Sequence, residues 1–228
     1  MTIITVLSGA GPYGDPWHPF DETSAEIADV LAPLGQVLIR RDVDHALLEL
    51  EAPRRPDLLV VNIGNPRTDS PPLRARRALD RAVRDGMPLL GVHSSATTFS
   101  AWEGWSGLLG GLWVRGKTFH PEASECKIHL TEEGRNLMQT ASDFDTFDER
   151  YTALSLRPES TPLAFHSHDG QLHPLAWLYE VGSIRAVYDG LGHDAEAYRL
   201  PGPRAFLHGC ASFLLGVDPS GTALARPL

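Results

Sequence analysis

Cysteine is nearly missing from this chain: 228 residues carry two, Cys126 and Cys210, and neither has a CxxC partner. Two isolated thiols outside any nucleophile motif argue against a disulfide framework and are expected as small packed hydrophobes. No apolar run is long enough to span a bilayer, and no basic-then-apolar leader opens at Met1 to Leu7, so a cytoplasmic protein without a membrane partner is expected. Cations are in deficit, 20 Lys and Arg against 29 Asp and Glu for a net charge of -9, which argues against a nucleic-acid or anionic-membrane partner and leaves a small molecule. Repeats, low-complexity tracts and an interdomain linker are absent too, so residues 1–228 are expected as one domain able to bury a full core. A phosphate-cradling loop is also lacking, because Pro12 spoils Gly9-Ala10-Gly11-Pro12-Tyr13-Gly14 as a dinucleotide fingerprint.

What is present is an alternation of apolar, β-branched runs with helical patterns. Ile3 to Leu7, Val37 to Ile39, Leu58 to Ile63 and Leu89 to Val92 predict parallel strands joined by crossover helices. Thr23-Ser24-Ala25-Glu26 reads as a helix start before Ile27, Val30, Leu31 and Leu34, stopped by Gly35. A second helix after Pro71-Pro72 is expected to turn Leu73, Leu79 and Val83 inward, with Arg74, Arg76, Arg77, Arg81 and Arg84 on a solvated face. Gly64 to Pro72 reads as a βα loop. Further on, Cys126 to Leu130 alternates like a strand and Glu132 to Met138 reads as a helix. Leu163 to Trp177 reads as a hairpin turning at Asp169-Gly170, Ile184 to Tyr188 as a strand, and the segment from Pro201 to Gly216 as a helix.

The run Pro88-Leu89-Leu90-Gly91-Val92-His93-Ser94-Ser95 ends a buried strand at a polar turn. In open parallel sheets ligands bind outside the carboxyl ends of the strands, so position 93 is expected at a site and presented to solvent. His18, His120 and His193 also follow predicted strands, and imidazole exchanges protons near neutral pH. Asp148-Glu149 closes an acidic stretch from Asp143 that reads most simply as a solvated loop, yet it can orient a histidine. Asp194 can do the same or cap the helix that follows. His166, His168 and His173 surround the predicted hairpin and read as a polar surface rather than a zinc site. Trp102, Trp105 and Trp113 suit a cleft wall, a dimer surface or the core, which leaves a homo-oligomer open.

The segments Gly91-Val92-His93-Ser94-Ser95-Ala96, Gly116 to Pro121, Asp148-Glu149-Arg150-Tyr151, Pro174-Leu175-Ala176-Trp177, Gly182 to Tyr188 and Leu191-Gly192-His193-Asp194 together resemble the ThuA-like (trehalose utilisation) family. Ile184 and Arg150 depart from its usual Gly and Leu. The resemblance implies a flavodoxin-like, doubly wound, mostly parallel sheet with helices on both faces, of the class I glutamine amidotransferase-like kind. It also argues against glutamine hydrolysis, because His93 stands where those enzymes need a cysteine. Phe119-His120-Pro121-Glu122 carries their His-Pro-Glu string, but mid-chain rather than near the carboxyl end.

The family's link to keto-glycosides implies acid-base chemistry on a carbohydrate: elimination, hydration or isomerisation. His93 and His193 are then expected as the proton-transfer pair with Glu149 or Asp148 orienting, and His18, His120, Ser94 and Asp194 as substrate contacts. No organic cofactor is expected and no metal ligand is assigned. The alternatives are a hydrolase using a divalent metal such as zinc on the same histidines, and a non-catalytic sugar-binding relative.

Overall fold

The computed structural model describes residues 1–65, 71–139, 142–218 and 221–222. The apolar runs of the first half form β1 (Ile3–Ser8), β2 (Gln36–Arg40), β3 (Leu58–Asn62) and β4 (Leu89–Val92), linked by α1 (Phe20–Leu31), α2 (Val43–Glu49) and α3 (Leu73–Arg84). There follow α4 (Ser106–Leu109), β5 (Gly111–Leu112), β6 (Ser124–Leu130), α5 (Glu132–Met138), β7 (Phe144–Asp148) and β8 (Ser155–Leu156). The chain closes with β9 (Ser160–His168), β10 (Gln171–Val181), β11 (Ile184–Asp189) and α6 (Pro201–Leu215).

Among the described residues nine strands make one sheet in the order β2-β1-β3-β4-β11-β10-β9-β6-β7. The five strands from β2 to β11 run parallel, and four antiparallel strands extend that sheet beyond β11. β3 is buried along its whole length, as a parallel strand covered on both faces must be. One face packs Leu47, Leu79 and Val83 of α2 and α3 against Val61 and Tyr188. The other packs Ile27 of α1 and Phe206 and Cys210 of α6 against Val6 and Val60. This is the doubly wound α/β architecture, and it aligns the carboxyl ends of β1, β3, β4 and β11 along one edge.

Several local expectations shift. α1 starts at Phe20, with Asp21 and Glu22 complementing the positive end of its dipole. Thr23 and Ser24 are therefore not its cap: they face the sheet and accept from Asn62 Nδ2 at 2.9 and 3.0 Å. Leu73, the first residue of α3, is 61% exposed, because the helix meets the sheet only from Ala75 onward. The acidic stretch is a strand rather than a loop, and its alternation buries Thr146 and Asp148. The hairpin turns at Asp169-Gly170 with both residues at positive φ, the conformation a type I′ turn requires. His166 on that hairpin is buried rather than at the surface. Trp105 is buried, and its indole N–H is donated to the Ser95 carbonyl at 2.9 Å. Both cysteines are free, Cys210 buried and Cys126 partly so. Residues 66–70 of the expected βα loop lie outside the described residues. No described helix is long and apolar enough to cross a membrane.

Asp189 ends β11 in full burial, and its Oδ1 accepts the Leu191 N–H at 3.1 Å. Burial, the largest influence, pushes its carboxyl up to about 7 from an ordinary 3.8. The folded state therefore holds this proton more tightly than the unfolded chain, and stability is lost as pH rises from about 4 through about 7. Asp189→Asn, which cannot ionise, is expected to melt above the wild type at pH 8, with the gap closing by pH 4; scanning calorimetry across that range measures it.

Candidate active site

The site is assembled at the aligned strand ends. β4 stops at His93, which takes the left-handed backbone region at φ 38°, a strained conformation for a residue with a Cβ, costing on the order of 1–3 kcal/mol. Cross-strand bonds from the β11 side hold it there. The Tyr188 hydroxyl is donated to the His93 carbonyl at 2.8 Å, and His93 Nδ1 lies 3.0 Å from the Gly190 carbonyl. A carbonyl only accepts, so Nδ1 carries the proton and Nε2 presents a lone pair. His93 is not presented to solvent as expected: it is 1% exposed, roofed by the Tyr151 ring at 4.3 Å between centroids and flanked by two further imidazoles.

The flanking imidazoles come from the loops after β1 and β11. His18 is tethered by Asp15, whose carboxylate accepts the backbone N–H groups of Trp17 and His18 at 2.9 Å and lies 2.8 Å from His18 Nδ1. Burial works to raise the Asp15 carboxyl, but the His18 imidazole beside it prevails and holds it low. His193 is placed by Asp148, which accepts from the N–H groups of Gly192 at 2.6 Å, His193 at 3.1 Å and Glu149 at 2.8 Å. Gly192 makes this turn at φ +100°, where a Cβ would strike the Tyr198 hydroxyl, so glycine is required twice over. Asp148 is therefore a buried group that positions the backbone and does not line the cavity, and burial pushes its carboxyl up to about 7.

Glu149, released from the end of β7, sits among the histidines. Its Oε2 lies 3.1 Å from His193 Nδ1 and 3.8 Å from His93 Nε2, while Oε1 lies 3.5 Å from His120 Nδ1. Burial works to raise this carboxyl, yet the His193 and His93 imidazoles outweigh it and hold it well below the usual range. The same carboxylate raises His193, whereas burial drives His93 down to about 4 and keeps it neutral. One donor atom from each of His18, His93, Glu149 and His193 lies within 4.8 Å of all the others, so these four residues can hold a metal ion.

A cavity of about 1270 Å³ opens above them, walled by Trp17, Trp113 and Tyr151, with His120 and Arg115 at its rim. That exceeds the roughly 300–1,000 Å³ of ordinary small-molecule pockets. Of the residues expected to act, His18, His93, His120, Glu149 and His193 converge here. Ser94 does not: its hydroxyl is buried and donated to the Ile63 carbonyl at 3.0 Å. Asp194 accepts from the N–H groups of Glu196 and Ala197, the capping alternative. Asp15, Trp17 and Arg115 escape sequence reasoning, and Tyr151 enters it only within the segment Asp148-Glu149-Arg150-Tyr151. For Asp15 the three-residue spacing to His18 is the available signal.

Asp148→Ala strands three amide donors, that of Gly192 buried and those of His193 and Glu149 partly so, and is expected to lower the unfolding free energy by about 2–4 kcal/mol in urea titrations. Asp194→Ala, which removes only a cap, is expected to cost about 1 kcal/mol.

The family model for ThuA, described as trehalose utilisation, matches residues 23–214. No curated protein matches the chain. Among solved structures, one described as ThuA-like from Parabacteroides merdae is 15% identical with a TM-score of 0.77, covering 100% of this chain and 92% of its own. A second, described as ThuA-like from Bacteroides uniformis, is 15% identical at a TM-score of 0.76, covering 97% and 94%. A third, from Thermoplasma acidophilum and described as part of a GMP synthase, is 17% identical at 0.55, covering 93% and 96%, and shares the glutamine amidotransferase-like fold. With the matched segment spanning most of the chain and including every cluster residue except His18, the protein belongs to the ThuA (trehalose utilisation) family.

Proposed function

We propose that this protein is an enzyme acting by acid-base chemistry on a sugar or keto-glycoside, through elimination, hydration or isomerisation, and that it does not hydrolyse glutamine. One observation carries the proposal: a single carboxylate, Glu149, is shared between the buried imidazole of His93, the half-buried imidazole of His193 and the half-exposed imidazole of His120 lining a large cavity. Family membership points to trehalose utilisation, and the aromatic walls suit the apolar faces of pyranose rings.

The roles follow from access. His93 is too deeply enclosed to reach a substrate proton, so the exchange falls to His120, which is 40% exposed and backed by Glu149 Oε1. A proton on the carbon beside a keto group is acidic enough for imidazole to remove. The bonding pair left behind moves onto the keto oxygen. Returning the proton to the former keto carbon, while the hydroxyl on the deprotonated carbon gives its own proton to the former keto oxygen, completes an isomerisation; expelling the oxygen substituent of the next carbon, which departs with a proton, completes an elimination. The elbow holds His93 in place of a thiol, so no glutamyl thioester can form there. A metal-assisted hydrolysis is the second reading, favoured by the four convergent donor atoms.

Purified protein incubated with a panel of 3-keto-glycosides, followed by NMR, is expected to show turnover. Loss of a general acid-base group typically removes about 10²–10⁴-fold in rate, so His120→Ala and Glu149→Gln are each expected to lower kcat at least that far with an unchanged circular dichroism spectrum. Calorimetric sugar binding with no turnover of any keto-sugar supports the non-catalytic alternative instead, and unchanged rates in both variants remove these residues from the chemistry.

A further inference from the structure

The three imidazoles at the cavity floor share a feature that proton transfer does not require. His18 Nε2, His93 Nε2 and His193 Nδ1 are each buried from water, and none has a hydrogen-bond partner. Buried nitrogens without partners are costly, and here three of them point into one small volume together with a carboxylate. The ring centroids form a near-equilateral triangle, 5.2 Å from His18 to His93, 5.0 Å from His18 to His193 and 5.5 Å from His93 to His193. His193 Nδ1 lies at ion-pair distance from Glu149 Oε2, 3.1 Å, but without the alignment of a hydrogen bond.

From this arrangement we infer that His18 Nε2, His93 Nε2, His193 Nδ1 and a Glu149 carboxylate oxygen bind one divalent transition-metal ion. Four donors within 4.8 Å reach a tetrahedral shell by closing at most about 1.5 Å, since bonds of about 2.0–2.2 Å place neighbouring ligands about 3.3–3.6 Å apart. The groups that orient these ligands are already in place. Asp15 grips His18 Nδ1 at 2.8 Å and the Gly190 carbonyl lies 3.0 Å from His93 Nδ1, so each ring offers its other nitrogen as a lone pair. Asp148 fixes the backbone that carries both His193 and Glu149. Three nitrogens and one oxygen suit zinc, cobalt, nickel, iron or manganese, and not calcium or magnesium, which take oxygen ligands.

The hairpin histidines do not compete as a preformed site. His166 and His173 stack face to face at 5.5 Å between centroids, and the hairpin trio is not among the metal-competent groups of the described residues.

The inference rests on the same cavity as the proposed function and deepens it, because a cation at this floor polarises a keto oxygen directly above it. Its test reads binding alone. Full-length protein stripped with chelator is titrated calorimetrically with Zn²⁺, Co²⁺ and Mn²⁺ separately. At least one of them is expected to saturate at one ion per chain. His18→Ala and His193→Ala are each expected to weaken that binding at least about 100-fold, and Asp15→Asn, which alters only the group gripping the far nitrogen of His18, about 10–100-fold. His173→Ala on the hairpin is expected to leave it unchanged. Imidazole nitrogen NMR of the unaltered protein covers the case in which a variant fails to fold: Zn²⁺ is expected to shift the signals of His18, His93 and His193 together.

No saturable uptake of any of the three ions, or uptake that leaves those three signals in place, overturns the site. A protein that takes up metal but turns over no sugar keeps the site and loses the proposed activity. Full turnover by a chelator-stripped protein that takes up no metal does the reverse.

Discussion

The parallel pairing of β4 with β11 is the contact on which the site depends. Ala186 to Asp189 lie in register beside Leu89 to Val92, strands nearly a hundred residues apart in the chain. A parallel ladder cannot close through a tight turn, so the intervening chain must leave the sheet and return. It does so by building the antiparallel extension, and that detour carries Asp148, Glu149 and Tyr151 over the strand ends. Two bonds reinforce the seam beside the histidine cluster, from Tyr188 to the His93 carbonyl and between His93 Nδ1 and the Gly190 carbonyl. The strained backbone at His93 persists because both strands over-determine it.

Around that seam carboxylates divide into two kinds of work. Asp148 and Asp15 commit their oxygens to backbone amides and to the far side of an imidazole, and so hold loops rather than face the cavity. Glu149 faces the imidazoles and is held in its charged form by them. Adjacent residues in sequence thus take opposite roles, because β7 ends between them: Asp148 still points into the protein as the last inward residue of the strand, and Glu149 is already free of it. An acidic run alone carries no sign of where a strand will stop.

Much of the fold is legible without any tertiary contact. Strands β1, β3, β4 and β11, helices α5 and α6 and the Asp169-Gly170 turn follow from local periodicity, which reports directly on backbone preference. The departures have a common cause. Thr23 and Ser24 look like caps and so misplace the start of α1, whereas their hydroxyls are used against Asn62 across the sheet. β7 reads as a loop because it lies in an acidic run from Asp143 to Glu149, although Phe147 shares its exposed face with Asp145, and its buried Asp148 is stabilised by amides of a distant turn. Burial of His93 and His166 likewise depends on what packs above them, which no local pattern encodes.

The sequence by itself determined the doubly wound class, the absence of a thiol at the elbow after β4, and the placement of histidines at strand ends, because each depends on residue identity and short-range pattern. Tertiary structure decided which of ten histidines meet, that Glu149 rather than Asp148 joins them, and that Ser94 and Asp194 serve the framework. Those outcomes turn on distances of a few ångströms between side chains from four separate loops, and only the register of β4 against β11, closed over the antiparallel detour, brings them to that range.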